Sequence, residues 1–433
     1  MLSGLVGPKA FITLHPYQAI IFLHPPKEFE RVELAPPLEQ TVHGSITLNL
    51  PKPREITSLV VKLVAYYNLG IPNQPSESGI LAEYAQKLSI PSKLDKGEHT
   101  FGWSLEIPRT TAPYERCTFG RVYHRLHAVA ETHSGTIKED IPLEIIINPA
   151  DEGETTGLNE TIEGFHDAVG PYRLTLTSGH FTVGGVVHFT MNLPSVPSEL
   201  RLRSVSAFII QSFELKSRKT GVQDVPTPQR RQLFHIDAHS LQRQQSASEP
   251  SSPLTPHRSP RLNTVIHSLS PVPDGEDLLG FVRDGGGLEL SHVARVPIDD
   301  LLRPTTHPGS DVLIRVSHKV MIHVLFSTSL HTQELALRSE RPVSITSCCC
   351  MLESLVLPSY SDALDEESPP GFSPVKDEKT RKLRFNCAAE CLCGYTLERL
   401  LLKTHAPILK AHEEMGTIPE PHTRLAANKI VQL

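Results

Sequence analysis

Thirteen residues, IRVSHKVMIHVLF, place Ile314, Val316, His318, Val320, Ile322, Val324 and Phe326 at every second position. Side chains of an extended chain alternate between two faces, so this spacing predicts a long strand with one buried face. A histidine stands in the apolar row, and a neutral imidazole is accommodated there when its nitrogens are hydrogen-bonded. HTFGWSLEIP repeats the pattern with Phe101, Trp103, Leu105 and Ile107. Further strands are read in VHGSITLNL, ITSLVVKLVAYY, GRVYHRLHAVAE, DIPLEIIIN, YRLTLTS, GGVVHFTMNL and VSAFIIQSFEL, separated by clusters of Pro, Gly, Asn and Ser. Many strands at regular spacing predict an all-β chain of antiparallel sandwiches, and 37 prolines with a single tryptophan agree with that. Helical spacing is read at two places, SGILAEYAQKL (78–88) and TLERLLLKTHAPILKAHEEM (396–415), the second interrupted by Pro407.

At 433 residues the chain exceeds one ordinary core. The expected division is a first β-sandwich over 1–150, a polar and acidic linker over 151–164, and a second sandwich over 165–355. A C-terminal tail with a short helix follows over 356–433. The second sandwich is expected to carry a disordered basic insertion over 216–275. Between Lys216 and Leu262 there are 8 Lys+Arg against 3 Asp+Glu, a local net of +5 (8 − 3). So few large apolar residues there cannot repay an ordering cost of roughly 1–2 kcal/mol per residue.

A formal charge of −6 gives no whole-molecule attraction to nucleic acid, which is not expected as a partner. The N-terminus MLSGLVGPKAFITLHP lacks a basic region followed by a long apolar run, so no secretory signal is read and a cytoplasmic protein is expected. The best apolar run, SLVVKLVAYY, carries Lys62 and is too short to span a bilayer. Six of the seven cysteines crowd between Cys348 and Cys393, leaving Cys117 alone; that uneven distribution suits reduced thiols better than a disulfide framework.

Motifs of catalysis are missing: there is no GxSxG, no GxxxxGK[ST] and no HExxH. DGGGLEL (284–290) is read as a glycine turn entering a strand. An enzyme is therefore not expected, nor a cofactor. Cys387, Cys391 and Cys393, with His405 downstream, form a weak zinc-ligand pattern that lacks the usual paired spacings. It leaves open the alternative of a zinc-binding protein or enzyme. The triplet Cys348, Cys349 and Cys350 ends an alternating segment, RPVSITS, with at least one thiol expected inside a sandwich and its neighbour facing out. S-palmitoylation of that triplet is the competing reading, and it needs an exposed thiol.

LPSY follows, and here Leu357, Pro358 and Tyr360 suit recognition by a WW domain, whose grooves accept a proline and a tyrosine from a chain in polyproline II geometry. In the insertion, Ser252, Thr255, Ser259 and Ser270 each precede proline, and Arg243 stands three residues before Ser246. Phosphates at these five positions would cancel the local positive charge. PLTPHR (253–258) fits a PxxPxR peptide, so SH3 or phosphoserine-binding proteins are candidate partners of the insertion.

Taken together, several of these segments carry a resemblance. LEQTVHGSITLNLPKPREITSLVVKLVAYYN (38–68), with its basic-proline turn, and KGEHTFGWSLEIP followed by GRVYHRLHAVAE resemble the arrestin N-terminal pattern. ARVPIDDLLRP, VSHKVMIHVLF and RPVSITSCCCMLESLVLPSYSDA are similar to the C-terminal half of fungal α-arrestins, in which the last strand runs into a proline-tyrosine motif. The resemblance spans residues 10–362. It implies two sandwiches and a cytosolic adaptor, peripheral at the plasma membrane and endosomes. Its implied partners are a WW-domain HECT ubiquitin ligase and integral membrane transporters or receptors as cargo, with endocytosis as the outcome. Leu357, Pro358 and Tyr360 carry over as the ligase-docking positions. A trafficking scaffold or coat subunit of the same fold, without ligase recruitment, is the alternative.

Overall fold

The computed structural model describes residues 9–18, 20–25, 39–150, 154–197, 200–238, 264–266, 278, 287–328 and 331–351. Their regular structure is strand throughout apart from isolated turns, as the alternation predicts. A three-stranded sheet runs β1 (Phe11–Pro16), β3 (Glu39–Leu50) and β7 (Gly97–Pro108). It faces a seven-stranded sheet ordered β2 (Ile20–Leu23), β10 (Gly135–Ile147), β9 (Gly120–Thr132), β4 (Arg54–Leu69) and β5 (Glu77–Lys87). Two short strands complete it, β6 (Lys93–Leu94) on β4 and β8 (Glu115–Cys117) on β9. The core between these sheets takes Ile46 and Leu48 from β3, Leu59, Val61 and Leu63 from β4, and Leu105 and Ile107 from β7, all nearly inaccessible.

The second strand set repeats the plan. One five-stranded sheet is ordered β11 (Leu158–His166), β12 (Gly170–Ser178), β13 (Val186–Leu193), β18 (Leu288–Arg295) and β17 (Thr264–Ile266). The other is ordered β15 (Gln223–Asp224), β14 (Leu200–Lys216), β19 (Ile314–Thr328) and β20 (His331–Val343), with β16 (Gln229–Asp237) also on β14. Every even-numbered residue of β19 from Ile314 to Phe326 is buried. β2 and β10 pair in parallel; the other ladders are antiparallel.

The small first sheet leaves its edge strands incompletely paired, and side chains from the facing sheet satisfy two of their amides. Glu139 of β10 accepts from the Leu14 N–H at 2.7 Å, and Gln86 of β5 accepts from the Ser104 N–H at 2.8 Å. Such caps blunt a sheet edge that would otherwise invite another strand. Two glycines are required. Gly120 has φ +147° and its backbone lies so close to the Asn68 carbonyl that a Cβ would sit 2.0 Å from it. Gly44 stands opposite Trp103, whose ring folds over it; a Cβ there would meet Trp103 Cζ2 at 2.2 Å.

Four boundaries differ from the sequence reading. SGILAEYAQKL is not a helix: Glu77–Lys87 pairs with β4 from Leu69 to Val60. The segment 151–164 is not all linker, because β11 begins at Leu158 and pairs with β12 as far as Ser178. The insertion is narrower than 216–275, since Gln229–Asp237 pairs with β14 and buries Phe234 and Ile236. Thr264–Ile266 also pairs, with β18.

Gly44→Ala should therefore cost about 1–3 kcal/mol by overpacking the Trp103 ring. Urea unfolding followed by the emission of the single tryptophan reads both effects at once. An unchanged midpoint and spectrum would show that the ring is not seated on the glycine.

Candidate functional site

The two strand sets meet at a junction built from charged, polar and apolar groups. At its centre Arg303, in the segment between β18 and β19, is 4 % exposed. Its Nε donates to Glu115 Oε1 of β8 at 2.7 Å, and its Nη1 lies 2.5 Å from Asp299 Oδ2. Arg116, next to Glu115, reaches back to Asp300 at 2.8 Å. Burial pushes the Glu115 pKa up and the Arg303 guanidinium pulls against it. Burial likewise opposes the Arg303 charge, but Glu115 and Asp299 overcome it and hold the guanidinium protonated.

From Arg303 a chain of hydrogen bonds runs into the second core. The Arg303 N–H donates to Gln211 Oε1 at 2.7 Å, and His318 Nε2 lies 3.2 Å from the same oxygen. Gln211 Oε1 can only accept, so His318 carries its proton on Nε2. Its Nδ1 then accepts from Thr305 Oγ1 at 2.8 Å, and Thr305 Oγ1 accepts from the Ile345 N–H at 2.8 Å. His318 is thus the satisfied core histidine expected from the alternation, and burial lowers its pKa to about 3.

Three further contacts fasten the junction. Glu77 of β5 accepts from Ser217 Oγ at 3.0 Å and from the Arg218 N–H at 2.9 Å, in the turn leaving β14. Tyr67, Leu69 and Val122 pack with Phe213, Leu215 and Ile314 in a shared apolar cluster. The third contact uses the cysteine triplet. Cys348, Cys349 and Cys350 are 6 %, 3 % and 0 % exposed and pack on Ile20 of β2 and Ile146 of β10.

That placement corrects one expectation. None of the three thiols faces out; they seat on strands of the first set. S-palmitoylation would need this turn to leave its seat. Cys117 forms no disulfide, and burial followed by Glu115 raises its thiol to about 11.

Beside Arg303 lies a space of about 60 Å³, lined by Tyr114, Glu144, Arg303, Thr305, Cys348 and Cys349 among others. It has room for about two waters, far below the several hundred Å³ of a metabolite pocket. Among the described residues no three His, Cys, Asp or Glu side chains converge as metal ligands would. Cys387, Cys391, Cys393 and His405 lie outside the described residues, as do Leu357, Pro358 and Tyr360 and the five candidate phosphoacceptors Ser246, Ser252, Thr255, Ser259 and Ser270. The structure therefore brings together none of the motif residues singled out in the sequence except the cysteine triplet. Its own cluster of Glu115, Arg303, Gln211 and His318 went unread but for the histidine, because Glu115 and Arg303 stand 188 residues apart. No family model and no curated protein matches the chain.

Removing one member of a buried pair strands its partner's charge, so Arg303→Ala should destabilise by about 3–5 kcal/mol in urea unfolding. Acid should act through two histidines. His124 of β9 is 2 % exposed, neither ring nitrogen makes a full-strength hydrogen bond, and burial lowers its pKa to about 4. Above pH 6.5 this ring and that of His318 are neutral in both states. Below it the unfolded chain takes up protons that the folded protein refuses until pH 4 and pH 3 respectively. Stability should fall by about 2 kcal/mol per histidine between pH 7 and pH 5. His124→Leu should remove about half of that loss; an identical pH slope in the variant would refute the assignment.

Proposed function

We propose that this chain is an arrestin-like adaptor that brings a WW-domain HECT ubiquitin ligase to transporters or receptors at the plasma membrane and endosomes. The observation that carries the reading is an all-β body of two strand sets with sandwich cores, joined at a buried junction, in a chain whose sequence places LPSY six residues (357 − 351) after Met351. A docking peptide next in sequence to such a body suits an adaptor. Proximity is then the whole mechanism: cargo lysines are held near the ligase, and the chain itself needs no reacting group. The tiny junction cavity and the order of strand segments, similar to that of α-arrestins, support the same reading. No described helix is long and apolar enough to cross a membrane.

Pro358 and Tyr360 fill adjacent slots of the WW groove, with Leu357 alongside. A single short motif of this type binds at about micromolar affinity or weaker, near −8 kcal/mol at best. Clustering at the membrane then supplies the rest.

The reading is tested with the full chain and isolated WW domains of a HECT ligase. Binding at micromolar to tens of micromolar, lost in both Tyr360→Ala and Pro358→Ala at an unchanged melting temperature, is the expected result. Binding that survives both substitutions, or none in the parent, would transfer weight to a trafficking scaffold of the same architecture.

A further inference from the structure

β14 sends Val205, Ala207 and Ile209 into the second core, so alternation turns Ser204, Ser206, Phe208 and Ile210 to the opposite, outward face of its sheet. Register then sets His235 of β16 beside Ser206 on one side and His323 of β19 on the other, with Arg338 of β20 next to His323. One cross-strand row therefore reads His235, Ser206, His323, Arg338. Directly opposed residues on one face stand about 5 Å apart at Cβ, close enough for their side chains to act on one small molecule. The row leaves no motif in sequence, because its members come from four strands and β16 looks like linker.

Ser206 is 6 % exposed, and its Oγ lies 2.7 Å from His235 Nδ1. On the far side of that ring, Nε2 lies 3.4 Å from Asp237 Oδ2. A carboxylate can only accept, so the ring proton stands on Nε2 and Nδ1 accepts the Ser206 hydroxyl hydrogen. Serine, imidazole and carboxylate stand in the series that activates a hydroxyl for attack. The His235 and Asp237 side chains are 42 % and 33 % exposed, which leaves the group open to a reactant from solvent. His323 is half-buried, and burial followed by Arg230 and Arg338 lowers its pKa, so the ring is neutral at pH 7 and carries one N–H donor. Half-buried Leu325, two residues further along β19 on the same face, and Phe208 beneath the Arg230 guanidinium supply apolar surface on either side of the row.

We infer that Ser206, His235 and Asp237 form an acyl-transfer site that hydrolyses small carboxylic esters. Ser206 Oγ attacks the carbonyl carbon while its proton passes to His235 Nδ1, and negative charge gathers on the carbonyl oxygen. The His323 ring, directly across from Ser206, is the donor for that oxygen. The bond to the leaving oxygen then breaks; that oxygen takes the proton from Nδ1 and departs as an alcohol, with the acyl group left on Ser206. Water repeats the sequence, giving a proton to Nδ1 and its oxygen to the acyl carbon. Ser206 leaves with that proton and the carboxylic acid is released. Asp237 touches no reacting atom and is a positioning residue that holds the Nε2 proton in place. An open sheet face suits a short acyl chain lying on Leu325 or Phe208. The inference does not depend on ligase docking; its assay contains no WW domain, so either reading can fail alone.

The test uses the purified full chain with p-nitrophenyl acetate in a stopped-flow instrument. Expected is a burst of about one equivalent of nitrophenol followed by slower turnover. A fluorophosphonate should label the protein at Ser206, read by peptide mass. Ser206→Ala and His235→Ala should each slow the burst about hundredfold or more. Asp237→Asn should slow acylation about tenfold or more at saturating ester while the half-saturating concentration stays the same, a split that loss of packing would not produce. His133→Ala, an exposed ring elsewhere, should change nothing. His235 is exposed, so its variant reports even if Ser206→Ala lowers the melting temperature. Absence of a burst in the parent, a burst retained in Ser206→Ala, label on another residue, or an equal loss in His133→Ala would each overturn the inference.

Discussion

The buried contact between Arg303 and Glu115 sets the relation of everything else. Apolar clusters such as that of Tyr67, Phe213 and Ile314 are non-directional, and alone they would permit the two strand sets to slide. A guanidinium and a carboxylate that are 5 % and 9 % exposed have no such latitude, because any displacement strands a charge away from water. Net stability from such a pair is small after desolvation, whereas its cost when broken is large. The pair therefore selects one arrangement of the junction more than it deepens the energy well. Gln211 and His318 extend that selection inward by requiring the Arg303 backbone, and not only its side chain, to be in place.

Sequence periodicity reached those elements whose two faces differ. β7 and β19 alternate because one face packs and the other meets solvent, so their residues could be assigned face by face. β5 failed for the converse reason. It is an edge strand with most of its residues exposed or half-exposed on both faces. Without one-sided burial its Ile80, Leu81 and Tyr84 fell at a spacing that imitates a helix. β16 was hidden by charge: QRRQ looks like linker, and only Phe234 and Ile236 are fully buried. In each case the neighbouring strand supplies the ladder that propensity did not. The junction cluster was illegible for a different reason, since a pairing across 188 residues leaves no local trace.

The seating of Cys348 to Cys350 on β2 and β10 has a mechanical side. Met351 leaves from a turn fixed to the first strand set, after the chain has traversed the whole second set. Tension applied to the C-terminal tail by a large tethered partner would load that turn before it could reach β20. The force would be shared by the thiol-lined contact on β2 and β10 and by the backbone bonds between Thr346 and Phe181 and Val183 of the second set. Among the described residues the body is in this sense a clasp closed by the cysteine turn. A pull on the tail would work the clasp before it could peel a strand from the second sandwich.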